Sequence, residues 1–183
     1  YADDFVLMST QRYSQDMRRY IGLIMYRMGL KLNREKTTIL HINKSSLCFL
    51  GFEFRVIRSK FDWNQKNYTN IRPSQKSRSK LFTQIRELLS KRRHWKIEHI
   101  IYKLNELLIG WLNYFSISKI THIWETIKVI IPHLDYKLYK WLKSKGRKAH
   151  KLLRQQPYRN FVKYKNLLDI EKYARLKTLV KAQ

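Results

Sequence analysis

The sequence predicts an α+β chain: antiparallel strands with one packed helix in front, and a bundle of helices behind. Three observations carry this. Up to residue 58, strand-like alternation and one helical stripe lie side by side, whereas beyond Pro73 only helical stripes remain. A length of 183 residues with 44% apolar composition is enough to bury a core without staples. The division that follows is 1–58 for the strand-and-helix part, 59–72 for a linker, 73–156 for the helical domain and 157–183 for a basic carboxy-terminal extension.

The chain opens on "YADDFVLMST", in which "FVLMS" has the apolar density of a buried strand and Ser9 or Thr10 offers a helix cap. In "QRYSQDMRRYIGLIMYRMGL" the residues Met17, Ile21, Ile24, Met25 and Met28 share one helical face, and Gly29 is placed to end the helix. This helix is expected to pack on a sheet. In "LKLNREKTTILHI" the residues Leu30 and Leu32, then Thr38, Leu40 and Ile42, keep the two-residue period of short strands. A turn at "NKSS" leads to "LCFLGFEFRVI", where Phe52, Phe54 and Val56 alternate with Glu53 and Arg55 as in a β-hairpin.

The polar stretch "SKFDWNQKNYTNIRPSQKS" reads as a linker or irregular loop, closed by a helix start at Pro73 and Ser74. Leu81, Ile85, Leu88 and Leu89 then form one stripe. Ile97, Ile100, Ile101, Leu104, Leu107, Leu108, Trp111, Leu112 and Phe115 form the next. A third runs through Ile123, Ile127 and Ile130, is bent or restarted at Pro132, and continues through Leu134, Leu138 and Leu142. The last stretch is broken by Pro157 and interleaves basic with aromatic residues.

Charge narrows the partner. Lys and Arg number 39 against 13 Asp and Glu, a formal charge of +26, and such an excess repels itself unless a polyanion neutralises it. Nucleic acid is the expected partner. No apolar stretch approaches the roughly 20 residues of a bilayer span, and no signal peptide is readable, so an intracellular setting is expected, in the cytoplasm or in a eukaryotic organelle. The single cysteine, Cys48, has no partner for a disulfide or a zinc cluster and is expected to be a small core residue.

Asp3 and Asp4 stand together at the front of this basic chain. In a tight turn between strands both carboxylates can face one space, where they repel unless a cation sits between them. All-oxygen donors suit Mg²⁺ with substrate phosphates, and two such ions serve in-line phosphoryl displacement.

Here the sequence resembles a known family. "YADD" before an apolar strand, then "GLKLNREKT", then "FLGF", resembles the palm of a reverse transcriptase in the same order of motifs. "RPSQKS" with its basic helix, "LNELLIGWLNYF" and "HLDYKLYKWLKSKGRKAHK" resemble the thumb, or maturase, region of group II intron-encoded reverse transcriptases. The likeness runs to about Gln156. It implies the carboxy-terminal part of a palm followed by an α-helical thumb, RNA-directed DNA polymerisation with two Mg²⁺ ions, and help in intron splicing.

By resemblance, Asp3 and Asp4 are metal-binding catalytic residues, with Tyr1 and Ala2 beside the primer end and incoming nucleotide. Lys36 is expected near the triphosphate. Leu50, Gly51 and Phe52 match the hairpin that grips the primer, with Gly51 letting a nucleic-acid backbone come close; plain strand core is the competing role for Phe52. Arg72, Lys76, Arg78, Lys80 and Arg86 are expected to track RNA phosphates, as are Lys143, Lys145, Arg147, Lys148, Lys151 and Arg154. His150 belongs to the same basic face, and Trp111 and Phe115 are expected to be core.

The metal site of such a palm needs a further aspartate from an earlier strand, which this sequence lacks. The expectation is therefore a second polypeptide, or a missing amino-terminal portion, supplying the fingers and the rest of the palm, with the chain inactive as a polymerase alone. Expected ligands are intron or template RNA and a DNA primer, without a membrane. One cysteine cannot build the zinc-binding endonuclease of some family members. The alternatives are a non-catalytic RNA-binding maturase fragment and a CRISPR-associated reverse transcriptase.

Overall fold

Elements form where their end signals are strongest. The structure, a computed structural model, describes residues 5–9, 15–33, 35–58, 67–91, 94–117, 122–145 and 155–180. Helix α1 (Gln15–Arg27) stops at Gly29, whose φ of +72° only glycine takes without strain. The Leu30 amide donates to the Met25 carbonyl and the Gly29 amide to the Tyr26 carbonyl, which closes the last turn as a Schellman motif.

The hairpin is β1 (Leu47–Phe49) and β2 (Phe52–Arg58), and β3 (Asn67–Pro73) pairs antiparallel with the other edge of β2. Its turn holds two residues, Leu50 at φ 48° and Gly51 at φ 79°, the left-handed pair that matches strand twist in a tight hairpin. Helices α2 (Gln75–Lys91), α3 (Ile97–Phe115), α4 (Ile123–Ser144), α5 (Pro157–Lys165) and α6 (Ile170–Val180) follow. Ser74 caps α2, its hydroxyl accepting from the Ser77 amide at 3.2 Å.

The expected stripes are the core. Leu81, Ile85, Ile100, Leu104, Leu108, Leu112, Ile123, Ile127, Ile130, Leu134, Leu138 and Leu142 are all fully buried. A helix stripe wide enough to face two neighbours at once explains why α3 and α4 contribute most of it. The sheet joins through Phe52, whose ring lies 5.0 Å from Phe115 and 5.6 Å from Tyr114.

Several expectations are corrected. Residues 5–9 are not a strand: no described segment pairs with them, and Phe5, Leu7 and Met8 are exposed. A strand without a hydrogen-bonding neighbour has no ladder to hold it. Likewise "LKLNREKTTILHI" makes an Asx turn instead of strands, the Asn33 side chain accepting from the Glu35 and Lys36 amides at 3.0 and 3.2 Å. No described residue before Phe52 enters the core, so the packing of α1 on a sheet is not found there.

Residues 67–72, expected as the end of a linker, belong with Pro73 to β3; Asn and Thr disguise a strand whose pairing is fixed by β2. Residues 59–66 lie outside the described part. Cys48 is exposed, since it lies opposite Glu53 on the open face of the hairpin. Helix α4 runs through Pro132 without restarting, because a proline in an exposed position forfeits one hydrogen bond while eight buried residues hold the helix on the core. The segment from Pro157 is no appendage: Tyr158, Phe161, Leu167, Ile170 and Ala174 belong to the same core.

Candidate nucleic-acid interface

The turn at Leu50 and Gly51 is held from three sides. The Gly51 carbonyl accepts from the Ser74 amide at 2.8 Å and from the Ser77 hydroxyl at 2.9 Å, and the Leu50 carbonyl accepts from the Tyr114 hydroxyl at 2.9 Å. A side chain at Gly51 would meet Ser77 Oγ at 2.9 Å and the Phe115 ring at 3.5 Å. The space a side chain at Gly51 would take is thus occupied by the chain's own helices. Gly51→Ala is expected to cost about 1–3 kcal/mol in urea unfolding, because φ stays left-handed and the Ser77 hydroxyl must leave its acceptor. An unchanged unfolding midpoint would show that the turn relaxes freely.

The motif "GWLNYF" in α3 is spent on the same joint. Trp111 and Phe115 pack at 4.6 Å, Phe115 meets Phe52, Tyr114 holds the hairpin, and Asn113 accepts from the Tyr173 hydroxyl of α6 at 2.8 Å. Asn105 clasps the loop between α5 and α6, donating to the Asn166 carbonyl at 2.9 Å and accepting from the Leu168 amide at 2.8 Å. The Tyr158 hydroxyl accepts from the Ile170 amide at 2.9 Å, and burial pushes its pKa up to about 12.

The expected phosphate-tracking residues divide into engaged and available groups. Arg72 lies in β3, with Nε 2.9 Å from Glu53 and Nη1 3.6 Å from Glu125, so its charge ties the sheet to α4. Arg78 is half-buried and donates to Gln75 at 3.0 Å. Lys145 donates to the Trp95 carbonyl and lies 4.7 Å over the Trp141 ring. Lys76, Lys80 and Arg86 on α2 and Lys143 on α4 are exposed. Lys36 sits exposed on its own turn. Tyr1, Ala2, Asp3, Asp4, Arg147, Lys148, His150, Lys151 and Arg154 lie outside the described residues.

Acids do little to cancel this surface. Glu53 is held by Arg72, Glu106 by Lys103 at 2.7 Å, Glu98 by Lys165 at 3.7 Å, and Asp135 by the Tyr158 amide at 2.9 Å. The Arg72 hydrogen bond holds the Glu53 carboxyl below its usual range, and burial, helped by Lys137, pushes His133 down where it stacks 4.2 Å from Phe82. Both folded values are depressed, so both contributions to stability are complete above the ordinary values of 6.5 and 4.5 and are lost as pH falls through the lowered ones. The unfolding midpoint is expected to fall in two stages on acidification. His133→Gln should flatten the first stage, and an unaltered profile would remove His133 from the account.

Among the described residues no group of three or more His, Cys, Asp or Glu can hold a metal ion, and no helix is long and apolar enough to cross a membrane. Sequence reasoning missed Ser77 and Asn105 as joints; only the Ser74 to Ser77 spacing carried a readable signal, that of a helix cap.

The described residues form an α-helical bundle with a three-stranded antiparallel sheet and expose Lys76, Lys80, Arg86 and Lys143, a surface chemistry that suits a polyanion. Residues 78–160, which span α2 to the start of α5, match the group II intron, maturase-specific domain. Over that segment the chain is similar to the maturase-specific domain of the group II intron proteins. No curated protein matches it.

Proposed function

We propose that the chain is an intron maturase in its helical part, gripping group II intron RNA through its phosphates and promoting splicing. The observation that carries this reading is the maturase-specific match over residues 78–160, a segment that presents Lys80, Arg86 and Lys143 to solvent while Glu106 and Asp135 are locally engaged. Cations of this kind attract RNA by releasing counterions and read no base sequence. Binding should therefore fall steeply with salt, on the order of 10³-fold between 50 and 200 mM if about six phosphates are contacted. Affinity for a group II intron transcript that stays flat across the titration, or splicing of that transcript unaffected by the chain, defeats the reading.

The order of "YADD", "GLKLNREKT" and "FLGF" before the maturase segment favours a second role, as part of an RNA-directed DNA polymerase. In that role Asp3 and Asp4 would hold Mg²⁺ through their carboxylate oxygens, and the ion would supply charge stabilisation for phosphoryl transfer. That role also requires a further aspartate beside these two. Primer extension by the completed protein should be abolished by Asp3→Ala, and normal extension by that variant ends this assignment.

A further inference from the structure

Helix α4 carries a second kind of surface besides charge. Tyr136, Tyr139, Lys140 and Lys143 stand at helical positions i, i+3, i+4 and i+7, on one outward face, and all four are exposed. Tyr136 and Tyr139 are 51% and 41% accessible, far from the core that their own helix helps to build. Lys140 Nζ lies 4.7 Å from the centre of the Tyr136 ring and Lys137 Nζ lies 5.7 Å from it, so the ring is flanked by two ammonium groups.

The stretch of α4 around these residues is also poor in acid, Glu125 lying in the first turn where it pairs with Arg72. Between Thr126 and Ser144 the sequence holds one carboxylate, Asp135, and that one is bonded to the Tyr158 amide at the start of α5. An ordinary solvated helix face mixes both signs to gain pairing between neighbouring turns. Here lysines repel one another around exposed aromatic rings, an arrangement that gains when an anion with a flat apolar part arrives.

We infer that this face of α4 binds unpaired nucleotides of RNA, a base stacking on the Tyr136 ring while Lys137, Lys140 and Lys143 meet the adjoining phosphates. The inference rests on the RNA-binding reading above and deepens it. In a double helix the base faces are already stacked on each other, so an exposed protein ring finds its complement in a loop, bulge or single strand. Lysines alone would grip either form. The two tyrosines are what tell them apart.

The test is fluorescence anisotropy of the 183-residue chain with a labelled single-stranded oligouridylate of about 12 nucleotides, and with a blunt RNA duplex of the same length. Tyr136→Ala should weaken single-strand binding about 5- to 100-fold, the value of one stacked base, with duplex binding nearly unchanged. Tyr136→Phe, which keeps the ring, should bind as the parent does. Because the residue is exposed, the unfolding midpoint of both variants serves as the control for folding. Equal losses on both ligands, or no loss for Tyr136→Ala, overturn the inference while leaving salt-dependent RNA binding intact. Failure of the parent chain to bind either RNA overturns the RNA reading itself and this inference with it.

Discussion

Phe161→Ala is expected to lower the stability of the whole bundle by about 3–5 kcal/mol, the cost of emptying a fully buried aromatic site. The size of the effect follows from where the ring lies. Phe161 is the largest fully buried side chain of α5, in the same core as Leu134 and Leu138 of α4, and Tyr158 and Ile170 stand on either side of it in sequence. The segment is held there by polar bonds as well, with Asp135 accepting from the Tyr158 amide and Asn105 from the Leu168 amide. A residue in a loose tail would cost almost nothing. Tyr164→Ala, on the exposed side of the same helix, supplies that comparison and should stay within about 0.5 kcal/mol. Urea unfolding followed by far-ultraviolet circular dichroism distinguishes the cases. A Phe161→Ala protein that loses α5 and α6 early but keeps the main transition would make residues 157–180 an appendage after all.

Replacing Lys76, Lys80 and Arg86 together by Gln is expected to reduce the salt dependence of intron RNA binding by about three units of log–log slope, one for each phosphate left without its cation. The three residues are exposed, none supports the core, and replacing them leaves the fold in place. Arg72→Gln is the instructive contrast. Its guanidinium is committed to Glu53 and Glu125, so the expected result is a less stable protein with an unchanged slope. Affinities measured from about 50 to about 400 mM salt give the slope directly. A triple variant with the parent slope would mean that α2 does not face the RNA.

What was legible in the sequence was periodic and self-sufficient. The stripes of α3 and α4 could be read residue by residue, because a helix satisfies its own backbone and only its apolar face depends on the rest of the protein. The hairpin was legible for a similar reason, its turn and alternation being local. The misreadings share the opposite property. Strand β3 is held by β2 and carries Asn67, Thr69 and Asn70, residues that favour loops in isolation. Residues 5–9 have the apolar density of a buried strand and residues 37–42 alternate as strands do, yet a strand exists only with a neighbour.

The candidate interface was partly legible. Type of residue identified Lys76, Lys80, Arg86 and Lys143 as available cations, and position alone separated them from Arg72 and Lys145, which serve internal contacts. Nothing in the spelling of a lysine tells whether its head ends over a tryptophan ring or in water. The tyrosines of α4 give no sequence signal for a related reason. A Tyr at helical spacing reads as core until burial is known, and only then does an exposed one become informative.

The clamp on the Leu50 and Gly51 turn bears on where the molecule can be cut. Its donors come from Ser74, Ser77 and Tyr114, so the strand-and-helix part and the helical part share a seam instead of a hinge. Dissecting the protein at residue 73 would strip Phe115 of Phe52 and leave the Ser77 hydroxyl without its carbonyl. A piece that keeps all of this packing begins ahead of Leu47 and reaches past Ala174, and a gene fragment drawn to the bounds of the maturase-specific match alone would omit both ends of its own scaffold.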